Sequence, residues 1–184
     1  MFDMTRRVFI GGALAATTAA CDNGVGSEAG QRIDARVDAT LDHLYSTYPG
    51  TTSLRDKSVG VLVMPLITKA GFGLGGSYGE GALRINDFTV DYYSATSATF
   101  GLQIGAQQYS HVLFFLTEEA LAEFRQSPGW DVGADMEYAY ADKGENIGVQ
   151  STTVFSPTVA VIFGQTGLIA GATLEGTKYN RIIR

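Results

Sequence analysis

Two histidines, His43 and His111, are the side chains best suited to acid–base or metal chemistry, and their context argues against both uses. A Ser-His-acid triad cannot be built from Ser110 and His111, because neighbours on a strand point to opposite faces. A zinc site would need both histidines and several carboxylates, since the only cysteine, Cys21, lies near the N-terminus. We therefore predict a non-enzymatic protein that uses neither a metal nor a cofactor.

A glycine-rich segment formally matches the dinucleotide-binding fingerprint GxGxxG at Gly71, Gly73 and Gly76. In a nucleotide site these glycines would open a helix whose N-terminus meets the pyrophosphate. Here the following residues, 77–85, continue as strand and turn. The segment is therefore expected to be structural and not to bind a nucleotide.

The chain has 184 residues and a formal net charge of -6, so its length favours a single domain with one ordinary core. Removing residues 1–20 leaves 11 basic and 18 acidic side chains. A surface of this sign repels polyphosphates at long range, which excludes nucleic acid as a partner.

The N-terminus has the layout of an export signal. Arg6 and Arg7 precede an apolar run of 13 residues, from Val8 to Ala20, which is too short for the roughly 20 residues of a membrane-spanning helix. The pair resembles the twin-arginine consensus, whose substrates cross the inner membrane already folded. We expect residues 1–20 to be the signal peptide of a periplasmic protein.

The segment from Thr18 to Cys21 resembles a lipoprotein processing site, although a leucine is usual where Thr18 stands. Acylation of Cys21 would anchor the protein to the inner membrane. The alternative is ordinary cleavage near Ala20, and the sequence leaves both open. Residues 21–30 are polar and glycine-rich, which predicts a flexible tether before a folded domain at 31–184.

Apolar residues recur with helical spacing from Ile33 to Tyr48, which predicts an amphipathic helix ended by Pro49-Gly50. A second helix is predicted from Glu118 to Gln126, with Thr117 as its N-cap and 127–129 as its stop. Strand patterns occupy 59–64, 71–83, 88–93, 99–108, 112–117, 134–141, 151–155, 159–164 and 168–174. The order predicts an α+β fold with a mainly antiparallel, strongly curved sheet or a small barrel.

Alternating glycines at Gly71, Gly73 and Gly75 would leave one face of a strand without side chains. We predict that another segment packs closely on such a face. The sequence GLQIGA at 101–106 has a counterpart, GLIAGA, at 167–172, which indicates two strands with similar glycine positions in one bent sheet.

Several glycine-anchored blocks, in this order, resemble the SYLF domain family. They are Gly60-Val-Leu-Val-Met-Pro65, the segments 69–76, 78–83, 101–107 and 133–135, and Gly167-Leu-Ile-Ala-Gly-Ala-Thr-Leu-Glu-Gly176. The likeness covers about residues 33–182. It implies a lipid-binding domain, whose eukaryotic members bind phosphoinositides and, with neighbouring segments, actin.

The resemblance implies that a phosphate head group would be bound by basic residues, and the candidates are Lys69, Arg84, Lys178 and Arg181, with Arg184 beside them. The alternative is that these are ordinary solvated charges. The predicted ligand is a membrane phospholipid.

Two other functions are weighed against lipid binding. One is a structural module of the cell envelope that contacts a protein partner without lipid selectivity. The other is an enzyme, which would require a deep polar pocket near His111 or Asp135, and we expect none.

Overall fold

The computed structural model describes residues 28–131, 137–140, 156–167 and 176–184. Its elements are α1 (Glu28–Thr47), a 3-10 turn (Pro49–Thr51), α2 (Thr52–Lys57), β1 (Gly60–Ile85), β2 (Phe88–Phe115), α3 (Glu118–Gln126), β3 (Trp130–Asp131), β4 (Glu137–Tyr140), β5 (Thr158–Gly167) and β6 (Thr177–Ile182). Within these ranges no helix is both long and apolar enough to cross a membrane.

A long antiparallel hairpin of β1 and β2 forms the frame of the domain. It is closed by Asn86 and Asp87, whose φ angles of 50° and 66° match a two-residue turn that twists with its strands. Pairing runs from Ile85 and Phe88 to Gly60 and Phe115, with three register shifts along the way. Such shifts bend a strand without ending it, so the hairpin curves strongly.

The strand order is β3-β6-β2-β5-β4, and β1 pairs with β2. On β2, residues 92–97 pair with β6 and residues 107–115 pair with β5. Every described pairing is antiparallel except β4 with β5. The predicted α+β fold with a mainly antiparallel, curved sheet is confirmed. The small-barrel alternative is wrong, because the described strands form an open sheet whose two ends do not pair.

Both faces of the curved sheet are packed, as the alternation of side chains along β1 requires. Val61 and Val63 face α1, whose buried residues include Val37 and Leu44. The opposite, concave face carries Leu62, Met64, Leu83, Leu113, Phe115, Ile162 and Tyr179, together with Leu121 and Phe124 of α3. The sheet is therefore the middle layer between two apolar clusters.

The second half of β1 crosses the first half at two glycines. A Cβ on Gly81 would overlap the carbonyl oxygen of Val63, and one on Gly79 would overlap the carbonyl oxygen of Leu66. Gly79 and Gly81 continue the alternation of Gly71, Gly73 and Gly75 along β1, and alternate residues of a strand share one face. Close packing of backbone on a glycine face is thus described at Gly79 and Gly81, and the packing expected at Gly71, Gly73 and Gly75 stays a prediction.

Helix α3 has the predicted bounds, and the Thr117 side chain accepts a hydrogen bond from the amide of Ala120 at 3.2 Å. Helix α1 begins at Glu28, before the predicted start at Ile33, so the last residues of the predicted tether are helical. An ion pair of Glu28 with Arg32 supports this extra turn.

The predicted strands at 59–64 and 71–83 are one strand, as are those at 88–93, 99–108 and 112–117. Neither α2, β3 nor β6 was predicted. The predicted strands at 151–155 and 168–174, the export signal with Arg6 and Arg7, and Cys21 lie outside the described residues.

Candidate ligand-binding site

The basic residues proposed from the sequence do not converge on one site. Arg84 lies on the face covered by α1, where its guanidinium is 2.7 Å from the Asp38 carboxylate and 3.7 Å from that of Asp34. Asp34 also accepts hydrogen bonds from Thr89 and Tyr92. Arg84 therefore holds the helix on the sheet.

The basic residues of the C-terminal strand also have local partners. Arg181 lies 3.5 Å from the Asp91 carboxylate, which Arg125 of α3 contacts from the other side. Lys178 is exposed opposite Asp131 in the β3–β6 register and has interactions of its own.

Arg184 forms an ion pair with Glu80 at 2.5 Å. A hydrogen bond from Arg184 is the largest cause that lowers the pKa of the Glu80 carboxyl. The C-terminal arginine, like Arg84 and Arg181, is thus neutralised within the fold and does not form a basic patch.

Lys69 is in a different environment. It lies on the concave face of β1 with 7% of its surface exposed. No carboxylate among the described residues pairs with its ammonium group, and its Nζ is not among the buried polar atoms that lack a hydrogen-bond partner. Its direct neighbour on β2 is Gln107, which is 2% exposed.

Polar side chains continue from Lys69 across the concave face and form what we call the inner polar belt. Its members are Lys69, Ser77, Ser97, Gln107, Tyr109 and Thr177. Ser77, Ser97 and Thr177 are cross-strand neighbours on β1, β2 and β6, and the two serine hydroxyls are 2.7 Å apart.

Tyr109 connects the two halves of the belt across the bend of the hairpin. It shares a face of β2 with Gln107, two residues away, and it also contacts Ser77 on the other half of β1. Burial raises the pKa of Tyr109 to about 12, and the hydrogen bond with Ser77 acts in the opposite direction. The phenol is therefore protonated at physiological pH and can donate.

Two belt atoms are buried without a hydrogen-bond partner among the described residues: Oε1 of Gln107 and Oγ1 of Thr177. The amide nitrogen of Gln107 donates to Gln165 at 3.3 Å, which leaves its oxygen unused. Buried polar atoms of this kind are rare in folded proteins and call for an explanation.

His111 lies next along the same face and is fully buried. Its Nε2 is 2.7 Å from the Tyr179 hydroxyl, and burial lowers its pKa to about 3. Ser110 instead donates to the carbonyl of Pro65, which agrees with the prediction that adjacent residues cannot form a triad. A neutral imidazole contributes no charge to the belt. Asp135 lies outside the described residues.

Of the residues proposed from the sequence, the structure places Lys69 alone in this belt. The other five residues of the belt were not predicted, because the sequence carries only a weak signal for them. Gln107 and Tyr109 alternate on one strand, but their relation to Ser77 and Thr177 depends on register and on the bend.

The described strands form an α+β fold with a bent, glycine-crossed hairpin, and several of the motifs that resemble the SYLF family lie along β1 and β2. Residues 96–181 match the family model Ysc84, described as "Las17-binding protein actin regulator", and this match confirms the resemblance to the SYLF domain family over that part of the chain. The match includes four belt residues, while Lys69 and Ser77 precede it. A search of curated proteins gives no match.

Proposed function

We propose that this protein is exported through the twin-arginine pathway and binds the phosphorylated head group of a membrane lipid without catalysing a reaction. The observation that carries the proposal is the family match, which begins within β2 and ends within β6. The net charge of -6 disfavours general attraction to anionic membranes, so binding is expected to use a discrete site.

Vesicle flotation of the purified protein tests lipid binding. The panel contains vesicles of phosphatidylcholine alone and vesicles that also carry phosphatidic acid, phosphatidylglycerol or phosphatidylserine. We expect the protein to float with at least one phosphate-rich composition and to stay at the bottom with phosphatidylcholine alone. Absence from every floating fraction would refute lipid binding.

Export is tested by the double substitution Arg6→Lys and Arg7→Lys, which keeps both charges. We expect the unprocessed chain to accumulate in the cytoplasm, as measured by cell fractionation. Unchanged delivery to the periplasm would show that the arginine pair is not the signal.

Anchoring is tested separately by Cys21→Ser. We propose that acylated Cys21 holds the protein on the inner membrane, so the variant should move from the membrane fraction to the soluble periplasm and lose labelling by palmitate. A wild-type protein that is already soluble and unlabelled would favour ordinary cleavage near Ala20.

A second candidate function is an envelope interaction module that binds a protein partner without lipid selectivity. The family description favours it, because it names Las17 binding and actin regulation for that family. The flotation panel separates the two functions. Equal binding to all vesicles, or binding to none, together with a specific protein recovered by crosslinking in the envelope, would support this second function.

A further inference from the structure

A groove lies where α1 meets the crossing of the two halves of β1, and we call it the crossing groove. The residues that line it include Ile33, Arg36, Pro65, Leu66, Tyr78 and Glu80. The two halves of β1 are in direct contact there, because a Cβ on Gly79 would overlap the Leu66 carbonyl oxygen. The groove encloses about 220 Å³. Sites for drug-sized ligands enclose roughly 300–1,000 Å³, so this one has room for part of a lipid and not for a whole molecule.

The rim of the crossing groove carries exposed apolar side chains. Leu66 is 43% exposed and Tyr78 is 52% exposed. They are two of the five large apolar side chains that the described residues expose, and the other three do not line the groove. Tyrosine is a residue that suits a membrane surface, because its ring is apolar and its hydroxyl is polar.

The charges around the crossing groove favour an anion. The Glu80 carboxylate is already engaged, since it pairs with Arg184 and accepts a hydrogen bond from the Tyr78 hydroxyl. Arg36 is exposed and takes part in none of the described ion pairs. The hydrogen bond from Arg184 is the main cause that lowers the pKa of the Glu80 carboxyl, and the charge of Arg36 lowers it further. Two guanidinium groups thus act on one carboxylate, which leaves a net positive charge at this place on an acidic protein.

We infer that the crossing groove docks on a membrane surface, with Arg36 against the phosphate of one phospholipid and with Leu66 and Tyr78 in the apolar layer beneath it. This site rests on the proposed function for the class of its ligand and adds the surface that binds it. A guanidinium group forms charge-assisted hydrogen bonds with phosphate oxygens. A cation flanked by exposed apolar side chains matches a lipid, in which a phosphate lies next to hydrocarbon.

The place of the proposed anchor favours a membrane over a soluble partner. Cys21 precedes Glu28 by seven residues, and a chain of that length reaches at most about 25 Å. Arg36 lies eight residues further along α1, which is about 12 Å of helix. An acyl chain on Cys21 would therefore hold the crossing groove within reach of the bilayer, and lipid binding would become an intramolecular step.

The charge is tested by flotation with the anionic vesicles of the panel above. Every protein in this test carries Cys21→Ser, so that an acyl anchor does not hide a loss of binding. Arg36→Gln should weaken binding by about five- to tenfold, because one cation at the membrane surface is lost. Arg32→Gln is the matched control, since it removes the same group from α1 one turn earlier, where Arg32 pairs with Glu28 outside the groove. This control should bind as the parent protein does.

The apolar contact is tested by Leu66→Ser, which should weaken binding by about three- to tenfold, because the exposed part of this side chain no longer leaves water. Phe88→Ser is the matched control. Phe88 is 75% exposed next to the hairpin turn, so its loss would matter more than that of Leu66 if exposed apolar surface alone caused binding. We expect no loss for Phe88→Ser. Unchanged circular dichroism shows that each variant folds.

A fluorescent label measures the docking directly. Cys21 is the only cysteine of the chain, so Leu66→Cys in the Cys21→Ser protein offers a single site for an environment-sensitive fluorophore. Its emission should move to shorter wavelength when anionic vesicles are added, because the label leaves water. The same label on Phe88→Cys should show no such shift.

The outcomes separate this docking surface from the proposed function. If the parent protein floats and Arg36→Gln and Leu66→Ser float equally well, the crossing groove is not the lipid site, and lipid binding stands. Equal losses for Arg36→Gln and Arg32→Gln, or a label at residue 66 that does not respond, would also overturn the surface alone. A dimer that Leu66→Ser converts to a monomer, with unchanged flotation, would make the groove a contact between two copies of the chain. A parent protein that floats with no vesicle overturns both the surface and lipid binding.

Discussion

Replacing Gly81 by alanine tests the crossing that folds β1 back on itself. An added Cβ would overlap the Val63 carbonyl oxygen and lie 2.6 Å from Sδ of Met64. Non-bonded heavy atoms pack best at about 3.5–4.0 Å, so the two halves of β1 would have to separate by roughly 1 Å. Overpacking costs about 1–3 kcal/mol, and we expect about 3 kcal/mol because backbone must move. For a chain of this size that is roughly 6–12 °C in the unfolding midpoint.

Thermal and urea unfolding followed by circular dichroism measure this loss. Gly76→Ala is the matched control, because its Cβ would meet one described neighbour, the Ser97 carbonyl oxygen, at 3.2 Å. We expect that control to change the free energy of unfolding by less than about 0.5 kcal/mol. Equal stabilities of the Gly81 and Gly76 variants would refute the direct packing of the two halves of β1.

Two further substitutions test the layers on either side of the sheet. Asp34→Ala removes the acceptor of Thr89 and Tyr92, so we expect a loss of about 2–3 kcal/mol and faster amide exchange in α1; exchange rates like those of the wild type would contradict this. His111→Gln tests the effect of burial, which lowers the histidine pKa from 6.5 to about 3. Between these values the unfolded chain binds more protons, so wild-type stability should fall with falling pH by roughly 1 kcal/mol per unit. Urea unfolding at several pH values should show a shallower slope in the variant, and identical slopes would exclude a buried neutral His111.

Local signals in the sequence predicted local structure well. Thr117 and Pro128 mark the two ends of α3, because a cap and a helix breaker act within one turn. The strand predicted at 59–64 stops before Pro65, yet β1 continues through this proline with a register shift between Met64 and Ile67. Pairing with β2 keeps the strand extended there, and a single sequence does not show that partner.

The site was less accessible to sequence reasoning, for a related reason. Arg84 looked like a ligand-binding cation until its partners were seen on α1, almost fifty residues earlier in the chain. Gln107 looked like an ordinary strand residue until register placed it opposite Lys69. Neither fact follows from spacing along the chain, since both depend on which segments the bent hairpin brings together.

The charge of this protein limits how the proposed phosphorylated ligand can be bound. At long range the net charge of -6 repels an anion. Asp91 and Glu80 add to that charge and also pair with Arg181 and Arg184. Arg84 is paired in the same way with Asp38, so these three arginines are already engaged within the fold. An acidic domain of this kind is therefore expected to bind a phosphorylated head group at a discrete site, because general attraction to anionic surfaces is disfavoured.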